Sequence, residues 1–120
     1  INNDIDQNIN EYQEYFSIIR EGMYDVVNKH IGTAYSSRLS KPVFAGKTGT
    51  VQVRTITEEE RETEIIPNRQ LPFEQRDHSL FVGFAPYVNP KIAISVVIEH
   101  GGSGSSTAAP IAAKVFKKII

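Results

Sequence analysis

The chain has no cysteine, no long apolar run and almost no net charge. The absence of cysteine among its 120 residues excludes disulfide bonds and thiol chemistry, although it does not identify a cellular compartment. The longest apolar runs, such as residues 92–98, are far shorter than the roughly 20 residues that a membrane-spanning helix needs. Thirteen Lys and Arg residues against fourteen Asp and Glu residues give a net charge of −1. Because the basic residues form no stripe, we expect no nucleic-acid partner.

The chain also lacks an initiating methionine, since it begins with Ile1, and no signal sequence precedes it. This start favours a piece of a longer protein. At 120 residues the chain is one domain at most, with a core of modest size. No three His, Asp or Glu residues stand at metal-ligand spacing, so the sequence predicts no metal. We expect no cofactor.

The stretch from Lys41 to Arg54 is the most informative part of the chain. Its β-branched and aromatic residues predict a strand at about residues 43–54. Side chains alternate along a strand, which gives one face to Lys47, Gly49, Val51 and Val53 and the other to Thr48, Thr50 and Gln52. Gly46 and Gly49 beside the lysine indicate that a ligand or a packed neighbour approaches the backbone there.

Three interpretations compete for the Lys47-Thr48-Gly49 triplet. A phosphate-binding loop requires glycine where Lys41 stands and a helix where residues 50–54 continue as a β-branched alternation. An ordinary edge strand with a solvated lysine is the plainest interpretation. The third is the Lys-Thr-Gly strand of serine acyltransferases that react with penicillin.

The other patterns predict an α+β fold. Residues about 16–31 show a helical apolar period and should form a helix that Ser17 caps and Gly32 ends. Strands are predicted at about 79–86 and 91–99. A second helix at about 107–119 should be capped by Thr107 and tolerate Pro110 in its first turn. We expect a three-stranded antiparallel sheet with both helices packed on it.

Residues 55–76 shift abruptly in composition. Five glutamates, Glu58, Glu59, Glu60, Glu62 and Glu64, fall within seven positions, which predicts a solvated, mobile, acidic segment with at most a brief helix. Acid-base catalysis or metal binding is not expected from these carboxylates, because nothing apolar beside them would shift their pKa values.

Two polar clusters follow in the second half of the chain. Asp77, His78 and His100 suggest either a proton relay or structural hydrogen bonds, and the second interpretation is favoured for histidines at strand ends. The segment 101–106, Gly-Gly-Ser-Gly-Ser-Ser, is compatible with a flexible linker, a nest for an anion, or a turn from strand into helix.

Several segments together resemble one family. They are residues 76–87, 89–93 and 99–104, joined by Gly22-Met23 and Gly32-Thr33-Ala34 before the Lys-Thr-Gly triplet. In this order they resemble the C-terminal part of the transpeptidase domain of class B penicillin-binding proteins, from about Ile18 to the end. The resemblance implies part of a serine acyltransferase fold, with residues 1–120 as its C-terminal subdomain.

The same resemblance implies roles for the residues of the triplet strand. In this family a serine of a Ser-x-x-Lys motif attacks the penultimate D-Ala carbonyl of a peptidoglycan stem peptide, and β-lactams imitate that peptide. The Lys47 ammonium would contribute a positive electrostatic potential at the cleft, and Thr48 would bind the terminal carboxylate of the peptide. The Thr50 N–H would donate to the oxyanion, and its hydroxyl could also reach the carboxylate. Gly49 would leave room for the peptide to lie along the strand edge.

The chain departs from the family at the nucleophile. No serine is followed three residues later by lysine, and no Ser-x-Asn occurs. The nucleophile is therefore expected before Ile1, and the chain alone should be inactive. Two other functions stay open: a non-catalytic module that captures an anionic peptide on the same strand edge, and a nucleotide-binding fragment.

The resemblance also implies a location and partners. The parent protein would be anchored in the bacterial inner membrane, with this segment on the periplasmic side and with cell-wall elongation proteins as partners. In the resembled fold the strand at 92–99 pairs with an earlier strand that this chain does not contain. An uncovered strand edge recruits other chains, so we expect a homodimer or a swapped oligomer.

Overall fold

The computed structural model describes residues 11–120, and the polar leading segment predicted over residues 1–14 falls largely outside them. Three helices and three strands follow in the order α1 (Gln13–Asn28), β1 (Ala45–Val51), α2 (Glu58–Glu62), β2 (His78–Ala85), β3 (Ile92–Ile98) and α3 (Ala109–Ile119). A five-residue π-helical turn, Gly104–Ala108, leads directly into α3. The predicted α+β architecture is confirmed.

The sheet has the order β1-β2-β3, and both pairs are antiparallel. Lys47 lies opposite Val82, and Val82 lies opposite Ser95, so these three side chains share one face. β1 is shorter than predicted, since the pairing stops at Val51. The prediction that the strand's alternation of side chains continues to Val53 is therefore wrong. Beyond the sheet, the Arg54 guanidinium donates two hydrogen bonds of 2.7 and 2.8 Å to the Glu60 carboxylate.

The hydrophobic core lies on the opposite face of the sheet, under α3. Phe44, Phe81 and Phe116 are fully buried, with ring centroids 6.2 Å apart for Phe44 and Phe81 and 5.2 Å apart for Phe44 and Phe116. Small residues of the turn and of α3 close the remaining space; they are Ala108, Ala109, Ala112 and Ala113. Alanines let the helix approach the sheet closely, so the aromatic rings fill the layer between them.

Only the C-terminal half of α1 packs as predicted. Val27 is fully buried and Asn28 donates from its side-chain amide to the Phe44 carbonyl at 2.9 Å. Phe16 and Ile19, however, are 43% and 55% exposed. Ile31 is 92% exposed and follows the helix, so its assignment to the apolar face is wrong. The helix extends beyond the sheet, so the sheet does not cover its first turns.

Both predicted N-terminal caps are wrong. The first helix begins at Gln13, which places Ser17 inside it. Before α3, the Ser103 hydroxyl accepts from the Ser106 N–H at 3.3 Å, whereas Thr107 donates its hydroxyl to the Gly101 carbonyl at 2.7 Å. Pro110 does stand in the first turn of α3. The cap before α3 lies earlier than predicted because the π-helical turn starts the helical path before the apolar period does.

The segment between β1 and β2 contains a short capped helix. The Thr57 hydroxyl accepts from the Glu60 N–H, and the Glu60 carboxylate accepts from the Thr57 N–H, which together form a capping box. Hydrogen bonds from the Arg54 guanidinium, with a smaller contribution from the Thr57 N–H, lower the pKa of Glu60 to about 2. The expectation that nothing would shift these pKa values is therefore wrong. The mobility of residues 55–76 stays a prediction.

Candidate active-site edge

Lys47 projects from the face of β1 opposite the hydrophobic core. Its side chain is exposed, and its ammonium donates to the Thr48 carbonyl at 2.8 Å. Its cross-strand neighbour Val82 is 46% exposed. The ammonium has no carboxylate within ion-pair distance among residues 11–120, where the ion pairs are Asp25 with Lys29 and Arg54 with Glu60. A cation in this setting is free to meet an anionic ligand.

Thr48 points the other way and meets the loop that follows α1. Its hydroxyl lies 2.8 Å from the Thr33 hydroxyl. Thr33 follows Gly32, whose backbone lies close against the end of α1. Only glycine fits there, because a Cβ on Gly32 would lie 2.2 Å from the Val26 carbonyl oxygen. In the sequence, Thr33 is indicated only by the family resemblance, whereas Gly32 is also the expected end of the first helix. The contact with Thr48 adds Thr33 to the candidate site, and nothing in the spacing of the two residues indicated it.

The two glycines of β1 have different reasons to be there. A Cβ on Gly46 would lie 2.1 Å from Cζ of Phe81, so the neighbour that excludes a side chain is the packed core. A Cβ on Gly49 would lie 3.2 Å from Cβ of Leu80, its cross-strand partner. Of the two alternatives for these glycines, a packed neighbour explains Gly46. A close ligand stays open for Gly49.

Thr50 is tied to the turn before α3. Its hydroxyl accepts a hydrogen bond from the Gly104 N–H at 3.2 Å. Gly104 itself must be glycine, because a Cβ there would lie 2.4 Å from the Gly49 carbonyl oxygen. The turn is further fixed by Ser79 on β2, whose hydroxyl donates to the Ser103 carbonyl and accepts from the Ala108 N–H. The Thr50 hydroxyl therefore already has a partner on the core side of the sheet.

The outer backbone edge of β1 is the remaining feature of this site. β1 is at one end of the sheet order, so no strand within residues 11–120 pairs with its outer side. In an antiparallel strand, alternate residues direct both backbone N–H and C=O away from the paired neighbour. This edge can accept an added extended peptide, with the Lys47 ammonium on one face and the Thr48 hydroxyl on the other.

The histidine cluster has the structural role that the sequence favoured. The His100 N–H donates to Nδ1 of His78 at 2.9 Å, and Nδ1 of His100 lies 3.0 Å from the Arg76 carbonyl. Asp77 exchanges two hydrogen bonds with the side chain of Asn68. These contacts join the start of β2 to the end of β3. No carboxylate contacts either imidazole in this set of bonds, so they do not form a proton relay.

The site within residues 11–120 offers binding groups and no nucleophile with a base. Within that range no three His, Asp or Glu residues cluster as metal ligands, and no helix there is both long and apolar enough to cross a membrane. A groove of about 710 Å³ lies between α1 and the β2–β3 turn and shares no residue with Lys47–Thr50. Within the described residues, β1 presents an exposed ammonium, a hydroxyl and an outer backbone edge.

A comparison with protein families gives the class. The family model described as the penicillin-binding protein transpeptidase domain matches residues 2–120. The chain therefore belongs to the penicillin-binding protein transpeptidase family. The class that the sequence segments resembled is confirmed, and the sheet with its two flanking helices is part of the serine acyltransferase fold.

Within this family the chain is similar to penicillin-binding protein 2. It is 43% identical over 108 residues to the peptidoglycan D,D-transpeptidase MrdA of Acinetobacter baumannii, covering 87% of the chain and 15% of that protein. It is 38% identical over 102 residues to the Salmonella typhimurium enzyme of the same name, covering 84% of the chain and 16% of the enzyme. The Helicobacter pylori penicillin-binding protein 2, solved in complex with MreC, superposes with a TM-score of 0.72 at 34% identity, covering 88% and 17% of the two chains. The chain thus spans about a sixth of the length of these relatives.

Proposed function

We propose that the chain is the C-terminal subdomain of a peptidoglycan D,D-transpeptidase that cross-links stem peptides and reacts with β-lactams. The names of its relatives support this activity, and the 15% share of the Acinetobacter enzyme that it covers leaves room for the rest of a catalytic domain. The parent protein would act on the periplasmic side of the inner membrane, anchored by a segment outside this chain.

The observation that carries the proposal is the position of Lys47 on an edge strand, whose outer side no strand within residues 11–120 pairs. A D-Ala-D-Ala peptide would add to this edge as a further strand. Lys47 would supply positive field for its terminal carboxylate, and the Thr48 hydroxyl would bind that carboxylate. The Thr50 N–H would donate to the oxyanion that forms when the peptide carbonyl is attacked. The Thr50 hydroxyl, already bonded to Gly104, would serve mainly to hold the strand against the turn.

The catalytic serine and its lysine would come from the part of the parent protein that precedes this chain. Ser-x-x-Lys and Ser-x-Asn are both absent from the 120 residues, so this segment would form one wall of the cleft and be inactive alone. The exposed face around Val82 and Val97, which are 46% and 58% exposed, would be covered by that other part. Because the Helicobacter relative forms a complex with MreC, we also propose a partner of the cell-elongation machinery for the parent protein.

Covalent labelling of the full-length protein by a fluorescent penicillin tests this function. We expect one acylated band, with an acylation rate that falls about 100-fold to 1,000-fold in Lys47→Ala, as for the loss of one preorganised electrostatic group. Lys91→Ala, in the exposed turn between β2 and β3, is the matched control and should react at the normal rate. An unlabelled full-length protein would contradict the proposal and leave the non-catalytic peptide-binding module as the alternative.

A further inference from the structure

A buried serine near the start of β2 makes two hydrogen bonds to which the proposed reaction assigns no role. Ser79 is 0% exposed. Its hydroxyl donates to the Ser103 carbonyl at 2.8 Å and accepts from the Ala108 N–H at 3.0 Å. Ser103 directly precedes the π-helical turn, and Ala108 is the last residue of that turn. A single side chain therefore fixes both ends of the turn, across 24 and 29 positions of the chain.

The burial of these groups makes the two bonds costly to remove. Ala108 is also 0% exposed, so no water can replace the Ser79 hydroxyl at its N–H. A buried polar group that loses its partner costs more than the bond contributes when it is made. The serine hydroxyl consequently holds the turn in one position against the sheet.

The turn rests directly on the backbone of β1. A Cβ on Gly104 would lie 2.4 Å from the Gly49 carbonyl oxygen and 2.5 Å from the Leu80 carbonyl oxygen, so only glycine allows this approach. The Gly104 N–H donates to the Thr50 hydroxyl at 3.2 Å, and Thr50 lies opposite Ser79 in the sheet. Ser79 thus holds the turn, and the turn holds β1 at the residue whose N–H is proposed to meet the oxyanion.

This end of β1 has little other support. Val51 ends the strand and is 46% exposed, and Thr50 is exposed as well. No strand within residues 11–120 pairs with the outer side of β1. A donor that stabilises developing charge must be in place before the reaction, because a shift of about 1 Å can cost about 100-fold in rate. The contact with the turn is therefore the anchor that this end of the strand needs.

We propose that Ser79 is a positioning residue for the transpeptidase reaction, an inference that rests on the proposed function. Through the turn and the bond from Gly104 to Thr50, its hydroxyl fixes the Thr50 N–H where the oxyanion forms. Ser79 contacts no substrate, because it is fully buried on the core side of the sheet. It therefore affects the rate of the chemical step and leaves the binding of the terminal carboxylate by Lys47 and Thr48 unchanged.

Acylation of the full-length protein by a fluorescent penicillin tests the proposal. Ser79→Ala should lower the limiting acylation rate at saturating penicillin about tenfold, less than the loss expected when an oxyanion donor is removed outright. The penicillin concentration that gives half of the limiting rate should not change, and neither should the fraction of protein that is finally labelled. A variant that only unfolds more easily would lose labelled protein, whereas its folded fraction would react at the normal rate.

Ser37→Ala is the matched control for this experiment. Ser37 is 7% exposed, and its hydroxyl has no hydrogen-bond partner within residues 11–120. The control therefore makes the same chemical change at another buried serine without removing a bond. We expect its acylation rate to equal that of the unmodified protein.

Thr50→Val tests the same connection from its other end. This change removes the hydroxyl that accepts from Gly104 and keeps the Thr50 N–H, so it should also lower the limiting rate about tenfold. In the Thr50→Val background, Ser79→Ala should reduce the rate by less than about twofold more, because both changes break one connection. Thr50→Val leaves both bonds of Ser79 in place, so it decides the question if Ser79→Ala does not fold.

The outcomes separate the positioning role from the function on which it rests. A protein that penicillin labels, but in which Ser79→Ala or Thr50→Val reacts at the unmodified rate, would overturn the positioning role and keep the proposed function. So would a double variant in which the two losses multiply to about 100-fold, because independent effects share no connection. A full-length protein that penicillin does not label would overturn both.

Discussion

The two faces of the sheet differ in almost every respect. One face is closed: Phe81, Phe44 and Phe116 are fully buried between the strands and α3. The other face is open, with Lys47 exposed and Val82 and Val97 46% and 58% exposed. Burial of apolar area is the main favourable contribution to folding, so the stability of this chain resides on the closed face. Of the groups proposed to meet a substrate, Lys47 lies on the open face, whereas Thr48 and the Thr50 N–H lie along the outer edge of β1, which no strand within residues 11–120 pairs.

This difference shows that a single strand can contribute both to the core and to a binding site, because its successive side chains face opposite sides of the sheet. Within β1, Gly46 faces the rings of the core while its neighbour Lys47 faces solvent. At these two neighbouring positions, substitution of Gly46 should therefore change mainly stability and substitution of Lys47 mainly reactivity.

The largest loss of stability is expected from truncation on the closed face. Phe116→Ala removes a fully buried ring that packs 5.2 Å from Phe44 between centroids, and such changes cost about 3–5 kcal/mol. For a domain with a total stability of about 5–15 kcal/mol, this leaves little margin. Urea unfolding followed by circular dichroism measures the effect. Val82→Ala on the open face is the control and should cost less than about 1 kcal/mol. Equal losses would contradict the separation of the faces.

A pair of glycine substitutions should give effects of opposite sign. Gly46→Ala places Cβ 2.1 Å from the Phe81 ring, and overpacking of this kind costs about 1–3 kcal/mol. Gly22→Ala lies in α1 with no atom within 4 Å of the new Cβ, and alanine is favoured over glycine in a helix by about 1 kcal/mol. Denaturation midpoints of the two variants should therefore move in opposite directions. A destabilised Gly22→Ala would show that α1 packs more closely than its exposure indicates.

Features that local periodicity encodes could be predicted from the sequence, whereas features that depend on contacts between distant residues could not. The strand pattern around Lys47 and the apolar period of α3 depend on neighbouring residues, so the strands, both long helices and the family could be predicted. The bond from Gly104 to Thr50 joins residues 54 positions apart, and no spacing indicates it. The same holds for the Thr33–Thr48 contact and for a pocket that gathers Arg69 and Arg76 beside His100. The pKa of Glu60 was missed because its partner, Arg54, lies outside the acidic run.

The open side of the sheet should also determine association. β3 is the second edge strand, and Val97 at its exposed face is 58% exposed. We expect the 120-residue chain to form a dimer or a swapped oligomer through this edge. Val97→Lys adds a charge of the kind that protects natural edge strands, so it should weaken association by roughly tenfold while changing the monomer stability by less than about 0.5 kcal/mol. Light scattering over a concentration series measures both proteins. An unmodified chain that is monomeric at high concentration would contradict the expectation.

The smallest effect is expected where neither face contributes, in the segment between β1 and β2. The Arg54 guanidinium lowers the pKa of Glu60 from 4.5 to about 2, so the ion pair stabilises the α2 segment fully above pH 4.5. A carboxylate whose pKa is depressed by folding loses its contribution as the pH falls through the folded value, and here the loss falls between pH 4.5 and 2. A carbon-detected NMR titration of the Glu60 carboxyl should give a midpoint near 2 in the unmodified chain and a higher one in Arg54→Gln. The Phe81 and Phe116 resonances should not change in the variant at neutral pH, because the pair lies outside the closed face. If they shift, the segment is coupled to the core and the two faces are less independent than their burial implies.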